Sequence, residues 1–439
     1  MDPRTSSPRE GGLRASVSLL RRNRDFRHVY LSSVISLGGD WFLLVALFGL
    51  VYDLTGSAIA VALLLVVQDL TYVVMSPFAG VLADRIDRKA LMVGSDLARA
   101  LVCVGFFFVR SSETVWLIYV LLGAMAIFSA VFEPSSAAAM PNLVEREDLA
   151  TANALSGSLW GTMLAVGAAL GGAVTAIAGR DAAIGIDALS FVGSAWLVVG
   201  IARSFSQARS EEPARMRAAA TETVRYARRD HRVLALLAVK FGWGIAGGVL
   251  VVIPLLAKGQ FHAGDVGIGL LMASRGVGAL IGPFTGRSTL GKGDRRLFLT
   301  IGIALGVFGV GYALLGLAPT LLLAMPVVAI AHIGGGAQWT LSSYGLQKIV
   351  PDQIRGRIFA FDGMLVELTF GLSSLLTGWL AEVFGPRATA FGMGCVAIVW
   401  AIVWSLLTTD VRRATLVDGC GEAPLEAMDE ETTKPALSG

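Results

Sequence analysis

The chain has 439 residues, 54% of them hydrophobic and 16% charged, with a formal net charge of +3. Soluble domains carry roughly 25% charged residues. A mean hydropathy of +0.67 exceeds what a soluble body of this size can bury, so lipid is the expected solvent. Three cysteines (Cys103, Cys395, Cys420) lack framework or metal-ligand spacing, which argues against both disulfides and bound metal.

Residues 1–27 are polar and Arg-rich, with no short apolar core followed by a small-residue cleavage site. They are expected to be a cytoplasmic segment preceding an uncleaved first span. Apolar runs of bilayer-crossing length then recur at 28–51, 58–80, 90–110, 114–135, 152–178, 182–202, 233–256, 266–287, 297–317, 320–345, 357–384 and 387–408. These predict an all-α integral membrane protein of twelve transmembrane helices. The runs are too long, and too free of alternation, for a membrane barrel.

Residues 28–202 form a first bundle of six spans and 233–410 a second. Between them, 203–232 is a hydrophilic cytoplasmic linker whose stretch "TETVRYARRD" predicts an interfacial helix on an anionic leaflet. The acidic tail 411–439 is expected to be disordered and cytoplasmic. Of the 36 Lys and Arg, only Arg110, Arg180, Lys258 and Arg387 fall on the outer side, and Arg99, Lys240 and Arg275 lie within spans. That asymmetry places both termini in the cytoplasm of a multi-pass cell-membrane protein.

The halves echo each other. "VFEPSSAAAMPNLVEREDLATANAL" (131–155) ends span 4 with Pro141 and leads through a charged loop into span 5, and "SSYGLQKIVPDQIRGRIFAFDG" (342–363) ends span 10 with Pro351 and does the same, about 210 residues later. Paired six-helix repeats are a transporter arrangement, with the substrate site between halves near the midplane.

Five charges lie deep in the spans: Asp40 and Asp69 in the first half, and Lys240, Arg275 and His332 in the second. Glu367 joins them on span 11. Such residues are expensive in lipid and are candidate functional groups. Asp40 and Asp69 are candidate proton carriers, with structural hydrogen bonding as the alternative. Lys240 and Arg275 would balance these acids or bind an anionic substrate group. Glu133, Asp187 and Asp362 sit near span ends, where capping or loop contacts are the favoured reading. Trp41, Phe42, Phe48, Phe128, Trp160, Trp243 and Trp339 could line an aromatic pocket, although packing explains each one singly.

The loop "GVLADRIDRK" (80–89) between spans 2 and 3 resembles the signature of the major facilitator superfamily, a Gly, then Asp-Arg, then Gly-Arg-Lys/Arg. Asp87 stands where the family has Gly, and Asp tolerates turns and left-handed backbone. "SLGGDWFLLVALFGLVYDLTGSA", "FEPSSAAAMPNLV" and "VPDQIRGRIFAFD" are similar to the branch of macrolide and enterobactin exporters, over residues 20–410. The resemblance implies proton-coupled export of small amphipathic compounds. It also implies a cytoplasmic latch built from Gly80, Asp84, Arg85, Arg88 and Lys89, with Asp96 and Arg99 as participants. In that architecture spans 5 and 8 meet between the halves. The small faces of Gly167, Gly171 and Gly172 and of Gly278 and Gly282 would pack there, as a gate or simply as helix contacts. Span 2 would neighbour span 11, setting Glu367 opposite Asp69, a pair able to hold a proton. A direct Asp69–Arg275 bridge is not expected. Span 4 has no Arg, which many proton-driven exporters carry.

The expected partners are a small-molecule substrate, protons and membrane lipids, with no nucleic acid, and the chain is expected to work as a monomer. No metal, nucleophile or phosphate-binding motif marks an enzyme or an ATP-driven pump, so no cofactor or catalytic residue is expected. An importer or facilitator of a lipid or metabolite, without proton antiport, is the alternative function.

Overall fold

The computed structural model describes residues 13–202, 224–286 and 293–414. Residues 1–12, 203–223, 287–292 and 415–439 lie outside what is described, as do the surroundings of Gly80 and the side chains of Asp84 and Arg85.

Twelve long helices are present among the described residues: α1 (Arg24–Thr55), α2 (Ala58–Arg85), α3 (Arg88–Phe106), α4 (Trp116–Leu143), α5 (Leu149–Ala178), α6 (Arg180–Val199), α7 (His231–Gly247), α8 (Gly264–Thr285), α9 (Asp294–Leu317), α10 (Leu321–Ile349), α11 (Asp352–Phe384) and α12 (Pro386–Leu407). Eleven stretches are long and apolar enough to cross a membrane, and α3 is the exception. Its 19 residues hold Arg88, Lys89, Asp96 and Arg99, of which Asp96 and Arg99 are buried inside the protein.

Local chemistry sets the helix ends. Gly56 takes the left-handed conformation (φ 63°) that closes α1, and its N–H returns to the Tyr52 carbonyl. Ser57 then caps α2 by accepting from the Ala60 N–H. Pro351 immediately precedes α11, as its missing N–H and restricted φ favour. Pro141, by contrast, does not end α4, which runs on to Leu143. In the loop after α2, Asp87 is not left-handed (φ −57°). Its carboxylate accepts the Ala90 N–H at 2.9 Å, so the family's Gly position here is an N-cap of α3. Residues 224–229 of the predicted interfacial segment are helical.

Helices α1–α6 pack together, as do α7–α12, and the two largest contacts between the halves are α5 on α8 and α2 on α11. Cβ positions show how close the first approach is. A methyl on Gly172 would come within 2.9 Å of Gly269 Cα, and one on Gly276 within 2.3 Å of the Ala165 backbone nitrogen. Gly172 thus lies at the predicted crossing. Gly167 and Gly171 face α1 instead, at Gly38 and Phe42, while Gly278 and Gly282 face α10, at Ala329 and Ile333. A small-residue face permits close approach without naming the neighbour; here the crossing uses the adjacent register, Gly172 with Gly269 and Gly276.

Candidate functional site, a cavity between the halves

A cavity of about 790 Å³ lies between the two halves. Its apolar wall includes Leu37, Leu44, Met125, Leu250 and Met272, with Trp41, Trp160, Trp243 and Trp339 among its aromatics. Polar groups are few: Asp40, Gln68, Asp69, Tyr72, Ser129 and Glu133 from the first half, and Arg275, His332 and Glu367 from the second are the main ones. Asp40, Asp69, Arg275, His332 and Glu367, singled out in the sequence, therefore share one space. Phe48 joins the lining, whereas Phe42 and Phe128 do not.

Asp40 is held by a cation from another helix. Arg99, only 3% exposed at its side chain, lies 3.8 Å from the Asp40 carboxylate and also pairs with Asp96 one turn away. It donates to Ser129 Oγ at 3.3 Å and lies over the rings of Phe132 and Phe191. Asp96 and Arg99 are thus buried within α3, with Arg99 beside Asp40. Lys89, in the first turn of α3, donates to the Ile201 carbonyl just past the end of α6, within the same half. Asp187 belongs to the same region. It is fully buried and accepts from Cys103 Sγ at 3.3 Å and Ser190 Oγ at 3.4 Å. Gly39, beside Asp40, makes room for it, since a Cβ there would lie 2.4 Å from Asp187 Oδ1.

The sequence places Glu133 near a span end. In the structure α4 continues ten residues beyond it, which sets its carboxylate in the cavity wall, where it accepts from Tyr72 Oη at 3.0 Å. Lys240, in contrast, is not part of the lining. It forms a buried ion pair with Asp362, donates to Ser343 Oγ at 3.0 Å and lies 4.7 Å from the Trp339 ring centre. The pair fastens α7 to α11 and leaves Arg275 as the unneutralised positive charge of the second half's lining. His332 shares a 2.7 Å hydrogen bond with Tyr312 Oη. Asp69 and Arg275 form no ion pair, but each lies within electrostatic range of the other.

The cavity is placed asymmetrically along the helices. Its lining includes Ala154 and Gly157 near the start of α5 and Pro283 and Phe284 at the end of α8, but no residue from the opposite ends of these helices. At those opposite ends, charges close the gap. Arg180 at the start of α6 pairs with Asp53 of α1 and with Asp265 of α8; Lys258, in the π-turn Leu256–Gln260 that follows α7, pairs with Asp53 at 2.8 Å and Asp265 at 3.0 Å. Two cations and two carboxylates, one of each from either half, make an ionic ring. Gly49 admits it, because a Cβ there would lie 2.0 Å from Asp265 Oδ1. Glu382 of α11 adds a second tie by accepting from Ser57 Oγ and the Ile59 N–H at the start of α2.

Chemically, the cavity can take a drug-sized amphipath, hold its apolar body against indole rings and meet its charged ends with fixed charges. The family model for transmembrane secretion effectors matches residues 16–430. Macrolide efflux protein A of Streptococcus pyogenes is 26% identical over 405 residues, 89% of this chain and 97% of that protein. The Enterococcus faecalis protein of that name is 28% identical over 327 residues, 71% and 98% of the two chains. Among solved structures, a bacterial homolog of the human lysosomal transporter Spinster, in an inward-facing and unoccupied conformation, superposes with a TM-score of 0.71 at 15% identity, covering 92% of this chain and all of that one. The chain belongs to the transmembrane secretion effector family of major facilitator superfamily transporters.

Proposed function

We propose that this transporter exports small amphipathic compounds by alternating access, in exchange for protons. The observation that carries the reading is the inter-half cavity, greasy and aromatic on its walls, with Asp40, Asp69, Glu133 and Glu367 set into them. With residues 1–27 in the cytoplasm, the cavity extends toward the cytoplasmic ends of α5 and α8, and the ionic ring closes the outer face. That is the state in which an exporter loads. Asp40 and Asp69 exchange protons for the cargo; Glu133 and Glu367 share that load, and Arg275 and His332 contact cargo. The loop Gly80–Lys89, including Arg88, closes the cytoplasmic side in the opposite state. The protein works as a monomer in the cell membrane, with lipid around its outer helices.

One observation favours a facilitator without proton antiport: α4 has no basic residue in its 28. Cells expressing the wild-type chain should accumulate less of a fluorescent lipophilic cation than cells expressing Asp40→Asn, and collapsing the proton gradient should erase the difference. Equal accumulation in both would refute the role of Asp40, and a difference that survives the collapse would favour the facilitator.

A further inference from the structure

Three cations lie deep in the helices, and two have carboxylate partners. Arg99 has Asp96, Asp40 and Ser129, while Lys240 has Asp362 and Ser343. Arg275 is different. It is 7% exposed, lines the cavity, and makes no hydrogen bond or ion pair among the described residues; its Nε, like that of Arg99, is buried without a partner. Its neighbours are two indole rings from the other half, Trp41 at 5.9 Å and Trp160 at 5.2 Å. A guanidinium cannot shed its proton, and buried charges are ordinarily paired.

Across the same cavity, Asp69 is 9% exposed, and its Oδ2 is likewise buried without a partner. The two line one cavity with no hydrogen bond or ion pair between them. Indole rings of the first half flank Arg275, and α11 packs beside Asp69 at Gly371, where an added methyl would lie 3.7 Å from the Asp69 Cβ. Two buried opposite charges, both facing one cavity and kept apart, leave a gap whose ends have opposite sign.

We infer that Arg275 anchors a carboxylate of the cargo, and that the cargo class is an amphipathic zwitterion whose amine faces Asp69. This deepens the exporter reading and rests on it. A monocation satisfies Asp69 but adds a like charge beside an unpaired guanidinium. A monoanion leaves Asp69 bare. A zwitterion completes both, while its apolar body lies against Trp41 and Trp160.

The test uses full-length protein in lipid nanodiscs and the tryptophan fluorescence of the cavity. Three probes share one skeleton: phenylalanylphenylalanine as the zwitterion, its methyl ester as the cation and its N-acetyl derivative as the anion. Tetraphenylphosphonium is the reference amphipathic cation. The zwitterion should bind about tenfold or more tighter than either derivative, as a charge-assisted contact at each end implies. Arg275→Gln should reduce the zwitterion to the level of the ester without weakening the ester, and Arg275→Lys should keep part of the preference. Asp69→Asn supplies the mirror test, in which the zwitterion falls to the level of the N-acetyl form. Ester binding equal to or tighter than zwitterion in the wild type overturns the inference, as does an equal loss of all three probes in Arg275→Gln with Asp69→Asn unchanged. Binding of tetraphenylphosphonium alone also overturns it while leaving the exporter reading intact. Failure of every probe, tetraphenylphosphonium included, counts against both.

Discussion

Replacing Asp265 with Asn should open the outer face. Asp265 is 11% exposed at its side chain and meets both Arg180 and Lys258, whereas Asp53, 44% exposed, meets the same two cations from a wetter position. Exposed pairs are worth ~0.2–1 kcal/mol, and hydrogen bonds to charged groups in drier places ~1.5–3 kcal/mol. Discounting for the solvent at Asp53 and Arg180 gives about 2 kcal/mol for Asp265→Asn and about 1 kcal/mol for Asp53→Asn. Because 1.4 kcal/mol is tenfold, the populations should shift toward an outward-open form by roughly 30-fold and fivefold respectively. Spin labels at Glu113 and Pro319, exposed positions in the loops that follow α3 and α9, in a background with Cys103, Cys395 and Cys420 replaced by Ser, report the separation by pulsed dipolar spectroscopy. A longer-distance population should grow in Asp265→Asn and less so in Asp53→Asn. Unchanged distances in both, or the reverse ranking, would refute the ring as the outer closure.

Two further outcomes follow from the packing. Lys240→Met or Asp362→Leu alone strands a buried charge and should lower stability by ~3–5 kcal/mol, while the double variant should recover most of that loss; thermal unfolding in detergent reads it, and strictly additive losses would contradict the pairing. Gly276→Ala places a methyl 2.3 Å from the Ala165 backbone, whereas Gly94→Ala meets nothing within 4 Å. The first should drive the Glu113–Pro319 distance toward the open form and the second should leave it unchanged, and equal behaviour of the two would refute the α5–α8 contact as part of the closed state.

Much of the fold is legible in the sequence because the bilayer imposes length and hydropathy, and Gly and Pro punctuate the connections. The α4 boundary is less so, since helices outrun the hydrocarbon and Pro141 is tolerated within the helix. Asp40 and Asp69 stand out as isolated acids in apolar runs. Their surroundings do not, because the partner of Asp40 is Arg99, 59 positions away on another helix, and linear order carries no rotation angle. The same ambiguity hides Lys240 from the cavity and turns Gly171 to α1 while its neighbour Gly172 meets α8. The ring had a visible trace. Arg180 and Lys258 are two of the four basic residues that the charge asymmetry of the sequence assigns to the outer side, and a cation so assigned against that bias invites a search for nearby acids such as Asp53 and Asp265. Nothing in the sequence distinguishes a satisfied deep cation from the unpaired Arg275; only the packed helices do.

The central claim is coupling of cargo to protons through the cavity acids. Purified protein in liposomes, with a pH-sensitive dye trapped inside, tests it directly when amphipathic cations and zwitterions are added across a membrane held without an electrical potential. Compound-dependent proton flux in the wild type, abolished in Asp40→Asn or Asp69→Asn, is the predicted result. Compound movement with no proton flux in any variant would contradict it.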